Sequence, residues 1–586
     1  MLFNPDKHIL EETDSGLAIF DKAKTTLIKF TPNETTTCYE IPDGITSIGR
    51  ATFMDRKELE EIVLPDSVTS IGDYAFCNCR KLMTITLPSG ITDIGAYTFH
   101  KCVNLVHIRL PQNLLSIGEA AFGFCRNLPD ITFPDSLKNI ERSAFCNCSG
   151  LTDITLPPKI THIAKKTFYN CTNLFSITLP DGLKSIDESA FESASGLYSI
   201  DIPDSVTNIG KSAFYLCQEL ADIKLPKGIT IIRYKTFAGC SKLNRIIIPE
   251  GVVAIGQEAF SMCFRLMQVT LPESLRTIGG GAFYRCGSLP KIHIPKNVNS
   301  IGYGAFSACF GLKSIEVDED NFAYQARDGV LYKQHTIIAF PSGKNDETFA
   351  VAEDVTDISS STFIGCQNIK HIFIPHSVTN IEKEAFSGCY SLESITVDDR
   401  NKKYHSYDGI LFDNNGTLVA CPMGITGTVI IPACTRTIGY RAFLGCRLSS
   451  VRIADSVEVI EGGAFSCCDN LTVITIPGNV RLIKEGAFTN CQNLKTINLT
   501  GRNLTIENHA LTWVERVTKI VLYCATPPKY VGGSSLFANC PKLKSIIIPK
   551  DSQDQYKNAP GWRDYSNHFV PKGMDPEDHP WDFIKA

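Results

Sequence analysis

Apolar and polar positions alternate along this chain on a fixed long period. Twelve phenylalanines, from Phe53 through Phe76 and Phe99 to Phe306, follow one another at intervals of 23 residues. The step resumes at Phe363 and Phe386 and again at Phe443, Phe465 and Phe488, with Leu511 and Phe537 as the last anchors. Within one unit the apolar or small residues keep their offsets: Phe76 is followed by Cys79, Leu82, Ile85, Leu87, Pro88, Ile91, Ile94, Gly95 and then Phe99. The string Leu82-x-x-Ile85-x-Leu87 alternates at its end, which predicts a short strand. Pro88 has no N–H to donate and predicts where that strand stops. Ile94-Gly95 leads into a segment before the next Phe that reads as a tight helical turn on the outer side. One unit cannot bury its own apolar side. Stacked units bury Phe, Leu and Ile against their neighbours, and the strands then pair in parallel. The pattern therefore predicts an α/β repeat solenoid of 23-residue units with a parallel β-sheet on its concave face.

Two intervals break the period in the same way. Phe306 to Phe363 and Phe386 to Phe443 each span 57 residues, one period plus 34. In the first, Asp328-Gly329-Val330-Leu331-Tyr332 precedes Thr336-Ile337-Ile338-Ala339-Phe340-Pro341. In the second, Asp408-Gly409-Ile410-Leu411-Phe412 precedes Thr417-Leu418-Val419-Ala420-Cys421-Pro422. Asp-Gly steps suit turns that need positive φ, so both inserts read as β-hairpins. Gly16 to Phe20 and Thr26 to Phe30 repeat the plan at the N-terminus. The expected organisation is a hairpin cap at 1–40, repeats at 41–316, a hairpin insert at 317–350, repeats at 351–397, a second insert at 398–431, repeats at 432–523, an aromatic C-terminal cap at 524–570 and a tail at 571–586. The cap is expected to use Tyr556, Trp562 and Tyr565 to cover the open end of the core. The tail, with Trp581 and Phe583, reads as a frayed end, or else as a short docking peptide.

The motif L-x-x-I-x-L-P-x-x-[VIL]-x-x-I-G-x-x-A-F-x-x-C runs through about residues 40 to 550, with one clear copy from Leu197 to Cys217. It resembles the leucine-rich repeats of the BspA-like, or Treponema-type, class. The ending T-P-P…I-P…Y…G-W-x-x-Y also resembles the C-terminal cap of bacterial members. The resemblance implies a leucine-rich-repeat solenoid and a surface or secreted protein that adheres to host proteins or to other cells.

Composition narrows the partner. The chain carries 57 basic and 62 acidic residues, a net charge of −5, which argues against a general binder of nucleic acid or of membrane surfaces. No run of 18 apolar residues predicts a spanning helix. Met1 to Lys7 lacks a basic region followed by an apolar core, so it does not read as a signal peptide. Resemblance thus points to the cell surface, while the chain as written, if complete, points to the cytoplasm and to an intracellular scaffold.

Sixteen of the 23 cysteines stand three residues after a repeat anchor. Arg56 and Ala194 take that place in two copies. The regularity predicts a buried ladder of free thiols. Cys77/Cys79, Cys146/Cys148 and Cys467/Cys468 do not supply the four ligands of a structural zinc site, so no metal is expected. The turn Asp413-Asn414-Asn415-Gly416-Thr417 has the start of a calcium loop but not its later acidic ligand, and reads as a hairpin turn.

The chemistry of an enzyme is not legible here. G-x-S-x-G, P-loop and H-E-x-x-H motifs are absent from the sequence, and the histidines fall on different units. A catalytic site would have to converge from several coils. The reading is of a non-enzymatic binding protein without a cofactor, whose partner is a protein (a host or cell-surface protein among them) or a glycan. Its recognition surface is expected on the concave sheet, at the two outward rows that flank each central Ile. Asp130, Asp153, Asp201 and Asp222 form an acidic stripe there. Arg245, Lys291, His293 and His371 form a basic stripe a few coils on, with Ile247 and Phe373 as apolar contacts beside it.

Overall fold

A computed structural model describes residues 7–13, 15–33 and 36–573. The chain forms two compact units, Met1–Asp328 and Gly329–Ala586. Both are built from the same coil.

Most coils carry two strands. In the first unit Thr84–Thr86 pairs in parallel with His107–Arg109, Ile85 standing opposite Ile108. A second strand of only two residues follows: Asp93–Ile94 pairs with Ser116–Ile117. The central Ile of both strands is buried and its neighbours face out. This short second ladder was not expected from the pattern, because two residues are too few to register a period.

The segment around each Phe is not the helical turn that the sequence suggests. Its backbone is left-handed two residues before and two residues after the ring. Tyr74 and Asn78, on either side of Phe76, have φ of 60° and 63°. Every second N–H points toward the next coil: Tyr74, Phe76 and Asn78 donate to the carbonyls of Ala96, Thr98 and His100 at 3.0, 2.9 and 2.7 Å. The intervening N–H groups of Ala75, Cys77 and Cys79 close four-residue turns on the carbonyls of Gly72, Tyr74 and Phe76. Around the short strand the donors point the other way, Thr69 to the Thr46 carbonyl and Gly72 to that of Ile48. A left-handed L-residue costs about 1 kcal/mol. Three inter-coil hydrogen bonds per turn offset that cost, which is how Phe124 and Leu216 are held at φ 63° and 60°.

The core is a column of rings. From Phe53 to Phe306 successive centroids lie 5.2–5.9 Å apart with planes within 12° of parallel. Beside it runs the thiol ladder, and the thiols are donors as well as filler. Cys102, Cys125 and Cys148 each bond the carbonyl of the preceding coil's Phe, at 3.1, 3.2 and 3.0 Å. Each such carbonyl also accepts an N–H from its own coil, so both its lone pairs are used. Arg56, which replaces a cysteine, puts its Nε 2.7 Å from the equivalent oxygen of Phe30. Ala194 keeps only the packing.

All 23 cysteines are free, and only Cys38 and Cys434 are exposed. Burial pushes up the thiols of Cys102, Cys125, Cys148 and Cys240, and that of Cys79 to about 12. Cys38 is raised too, by partial desolvation and then by Glu61 and Glu40. Thiolate is the reactive form. In native protein at pH 8, iodoacetamide is therefore expected to modify Cys434 first and Cys38 more slowly, with Cys38 gaining as pH rises. The fully buried thiols should lag by roughly a thousandfold or more and react on unfolding. Peptide mass spectrometry reads the order; early labelling of Cys125 or Cys217 contradicts it.

Three antiparallel hairpins enter the coils in one manner. They comprise His8–Thr13 with Gly16–Asp21 and Thr26–Pro32, Val330–Lys333 with Thr336–Ala339, and Tyr404–Tyr407 with Ile410–Asp413 and Thr417–Ala420. The last strand of each joins the short-strand ladder in parallel, Thr26 opposite Ser47, Thr336 opposite Asp357 and Thr417 opposite Thr437. At the tip of the third, Asp413 accepts the N–H groups of Asn415 and Thr417, a hairpin turn closed by its own aspartate.

At the C-terminal end the strand Ser545–Ile548 is covered by a helical turn, Gln553–Asn558, a 3-10 segment, Arg563–His568, and a last strand, Phe569–Pro571. Tyr556 and Trp562 are fully buried. The Trp562 Nε1–H donates to the Pro528 carbonyl at 2.7 Å, and the Tyr556 hydroxyl to that of Cys524 at 2.8 Å. Trp581 and Phe583 lie outside the described residues.

Candidate interaction face

The face formed by the three-residue strands is fixed by backbone pairing, so side chains at one offset form straight rows. Asp153, Asp222, Arg245 and Lys291 open their strands and stand in the first outward row; Asp201, Ile247 and His293 stand in the second. Asp130 is exposed at the first-row offset, in a coil that forms no regular strand there. His371 and Phe373 hold the corresponding places on His371–Ile374, in the second unit. The ten residues are thus divided between two units, and the eight of the first are strung along rows rather than gathered.

Some of their charges are answered by neighbours on the same face. Asp222 pairs with Arg245 at 3.5 Å and Lys291 with Glu316 at 3.2 Å. Asp153 accepts the Ser176 hydroxyl at 2.5 Å, and Asp201 lies opposite Lys224. The two stripes read in the sequence are joined by one exposed ion pair, Asp222–Arg245, where they abut. Such exposed pairs contribute little to stability, about 0–1 kcal/mol each. Ile247 is 65% exposed. His371 Nδ1 lies 2.8 Å from the Ser394 hydroxyl, and Phe373 is flanked by Ala350 and Thr396.

A third row escaped the reading of the sequence. It lies one residue before each strand, seven after each Phe. In the first unit it holds Met83, Val106, Phe175, Tyr198 and Met267, all exposed, interspersed with Glu60, Thr152, Ala221, Asn244 and Lys313. Pro129 and Pro290 occupy the same offset. Phe175 and Tyr198 are 56% and 48% exposed and stack on each other, centroids 5.8 Å apart and planes 10° from parallel. Backbone hydrogen bonds hold this rim in line, Phe175 to the Thr152 carbonyl at 2.7 Å and Tyr198 to that of Phe175 at 3.2 Å. In the second unit the same offset carries Lys370, Glu393 and Lys495. Tabulating residues by offset from each Phe would have found the row.

Among the described residues one group of three, Glu353, His376 and Asp398, comes close enough to hold a metal ion. The Arg400 guanidinium already bridges both oxygens of Asp398, Nε–Oδ1 at 3.0 Å and Nη2–Oδ2 at 2.6 Å. Those bonds hold the carboxyl down at about 2. His376 Nδ1 sits 3.0 Å from Glu353. The donor set reads as an ion-pair network whose cation is the arginine.

Parallel coils, an inward Leu-Ile column and a recurring L-x-x-I-x-L strand define a leucine-rich-repeat solenoid. The family model of the BspA-type leucine-rich repeat region matches in six copies, over residues 30–152, 92–221, 138–252, 207–326, 338–418 and 425–526. The chain belongs to that family. Among solved structures it is similar to a leucine-rich cell surface protein of Faecalibacterium prausnitzii, at 21% identity over 94% of this chain and 98% of that one, with a TM-score of 0.24. It is also similar to a leucine-rich repeat protein of Bacteroides ovatus, at 20% identity over 97% and 100%, with a TM-score of 0.25. The leucine-rich repeat protein of T. pallidum is 22% identical over 45% of this chain and 91% of its own, with a TM-score of 0.24. Among curated proteins none matches. No described helix is long and apolar enough to cross a membrane.

Proposed function

We propose that this is a non-enzymatic recognition protein of the cell surface or of the secreted fraction, which holds a folded protein against the strand face of its first unit. The carrying observation is the apolar rim beside two polar rows. Aromatic and methionine side chains exposed next to a hydrogen-bonding surface are the composition of a protein interface. Phe175 and Tyr198 favour a protein over a glycan. Their rings turn their faces to each other along the row and offer mainly edges outward, whereas a sugar stacks on a ring face. Ile247 supplies a further apolar contact in the second row, and the charged pairs around it serve register more than affinity. His371 and Phe373 would belong to a separate surface on the second unit. An intracellular scaffold using the same face is the second reading, supported by a content of 23 thiols that suits a reducing compartment.

Binding of the purified chain to protein arrays and to glycan arrays tests the first reading, with a Phe175→Ala/Tyr198→Ala double variant of unchanged circular dichroism as control. Saturable protein binding that weakens tenfold or more in the variant is the expected result. Binding confined to glycans, or indifferent to the substitutions, overturns it. Protease shaving of intact cells decides the location: release of peptides from this chain places it outside, and protection until lysis turns the search to cytoplasmic partners.

A further inference from the structure

The three hairpins share one more position. The residue four places after the first of the last hairpin strand donates its N–H to the carbonyl just before the next ring of the column: Phe30 to Thr52 at 3.2 Å, Phe340 to Thr362 at 2.9 Å, and Cys421 to Ala442 at 2.8 Å. In two of them that residue adds a ring to the column. Phe30 lies 5.7 Å from Phe53, and Phe340 lies 5.5 Å from Phe363. In the third a thiol stands where the ring would be. Phe443 then stacks only on its far neighbour, Phe465, at 4.7 Å. Phe386, on the near side of the gap, is 7% exposed where Phe363 is 0%. The core of the second unit divides here as well: one apolar cluster runs from Val330 to Ile395 with Leu411, and another begins at Ile410 and Phe412.

Beside the missing ring lies a partly open pocket of about 180 Å³, lined by Phe386, Val419, Cys421, Met423, Ala442 and Leu444 and also by Glu382, Lys383 and Tyr440. Met423 fills part of the space that a ring would take, its sulfur 3.2 Å from the Gly388 nitrogen. Arg441 and Glu384 also line the cavity and are paired at 2.8 Å. They occupy one offset in successive regular coils and reach each other across the hairpin coil between them. An apolar cavity of about 150 Å³ is enough to hold benzene.

We propose that this cavity is a binding site for a small molecule bearing a phenyl-sized apolar ring. The occupant's chemistry is set by the column itself, which places a phenyl ring at the equivalent position in the other two hairpins. A bound ring would touch Phe386 on one side and the Cys421–Met423 segment on the other, extending the column by one ring beyond Phe386. The site lies wholly in the second unit and is independent of the apolar rim of the first.

Fluorobenzene titrated with the full-length protein and followed by ¹⁹F NMR tests the assignment. Saturable broadening or shift of the probe is expected for the native chain. Cys421→Phe supplies the ring in cis, as Phe30 and Phe340 do, and should weaken the probe at least tenfold while raising Tm. Cys421→Leu fills the space with less bulk and serves if the phenylalanine variant does not fold, with the same loss expected. No saturable signal from the native protein overturns the proposal, as does an undiminished signal in whichever variant retains native circular dichroism.

Discussion

Replacing Trp562 with alanine is expected to cost about 3–5 kcal/mol, the range for removal of a fully buried large aromatic. The indole closes the open end of the second unit. It meets Phe537 and Tyr556 edge-on at 5.8 and 5.6 Å and donates to the Pro528 carbonyl. Its loss opens a cavity and also leaves a buried carbonyl short of a partner, which adds about 1–3 kcal/mol if no water enters. A solenoid contacts only its neighbours along the axis, so the damage should stay local before it becomes global. Hydrogen exchange is expected to accelerate first in Ser545–Ile548 and Phe569–Pro571 and to fade toward Thr496–Leu499. Uniform acceleration through the second unit, or none, contradicts this. Trp562→Phe keeps most of the packing, loses the hydrogen bond, and separates the two contributions.

Phe214→Ala is the second large effect, again about 3–5 kcal/mol. Phe214 is fully buried between Phe191 and Phe237, 5.4 and 5.5 Å away. Its carbonyl takes the thiol of Cys240 at 3.3 Å and its N–H bonds the Thr236 carbonyl. Truncation empties one place in the column, and the rigid backbone on both sides limits collapse. Denaturant unfolding of the native and F214A chains should show the transition of the first unit shifted, with that of the second unchanged. Cys217→Ala in the same coil is expected to cost far less, about 1 kcal/mol, because Ala194 already occupies the equivalent place in this chain. A comparable loss in the two variants would mean that the rings do not dominate the core.

The architecture was legible because its signal is repeated. A single Phe at one offset predicts nothing; twelve at intervals of 23 leave only a solenoid. The hairpins were legible from Asp-Gly steps and from the extra 34 residues. What stayed hidden depends on relations between coils. The second ladder rests on two residues per coil. The left-handed turns hold Tyr, Lys and Leu, which intrinsic preference places elsewhere, and only hydrogen bonds to the next coil fix them. The cysteine ladder was read as packing, whereas its donation to the preceding Phe carbonyl requires knowing which atoms stack. Of the recognition surface, the two outward rows could be read off the strand period. The pairing of Asp222 with Arg245 and of Lys291 with Glu316 could not, nor could the division that sets His371 and Phe373 apart, because pairing depends on which side chains lean toward each other across neighbouring strands. The rim at Phe175 and Tyr198 was missed because its offset falls just outside the strand.

The opposed directions of hydrogen bonding within a coil carry an electrostatic consequence. In an α-helix every peptide dipole points one way, and the ends carry roughly half a charge each. Here the turn around Phe76 sends its N–H groups forward to the next coil, while Thr69 and Gly72 send theirs back. The backbone dipoles along the axis therefore oppose one another in every repeat, and no field accumulates as coils are added. Such an array can be lengthened or interrupted by a hairpin without building charge at its ends. This suits a C-terminal closure made of Tyr556 and Trp562, apolar rings, with no counter-charge required.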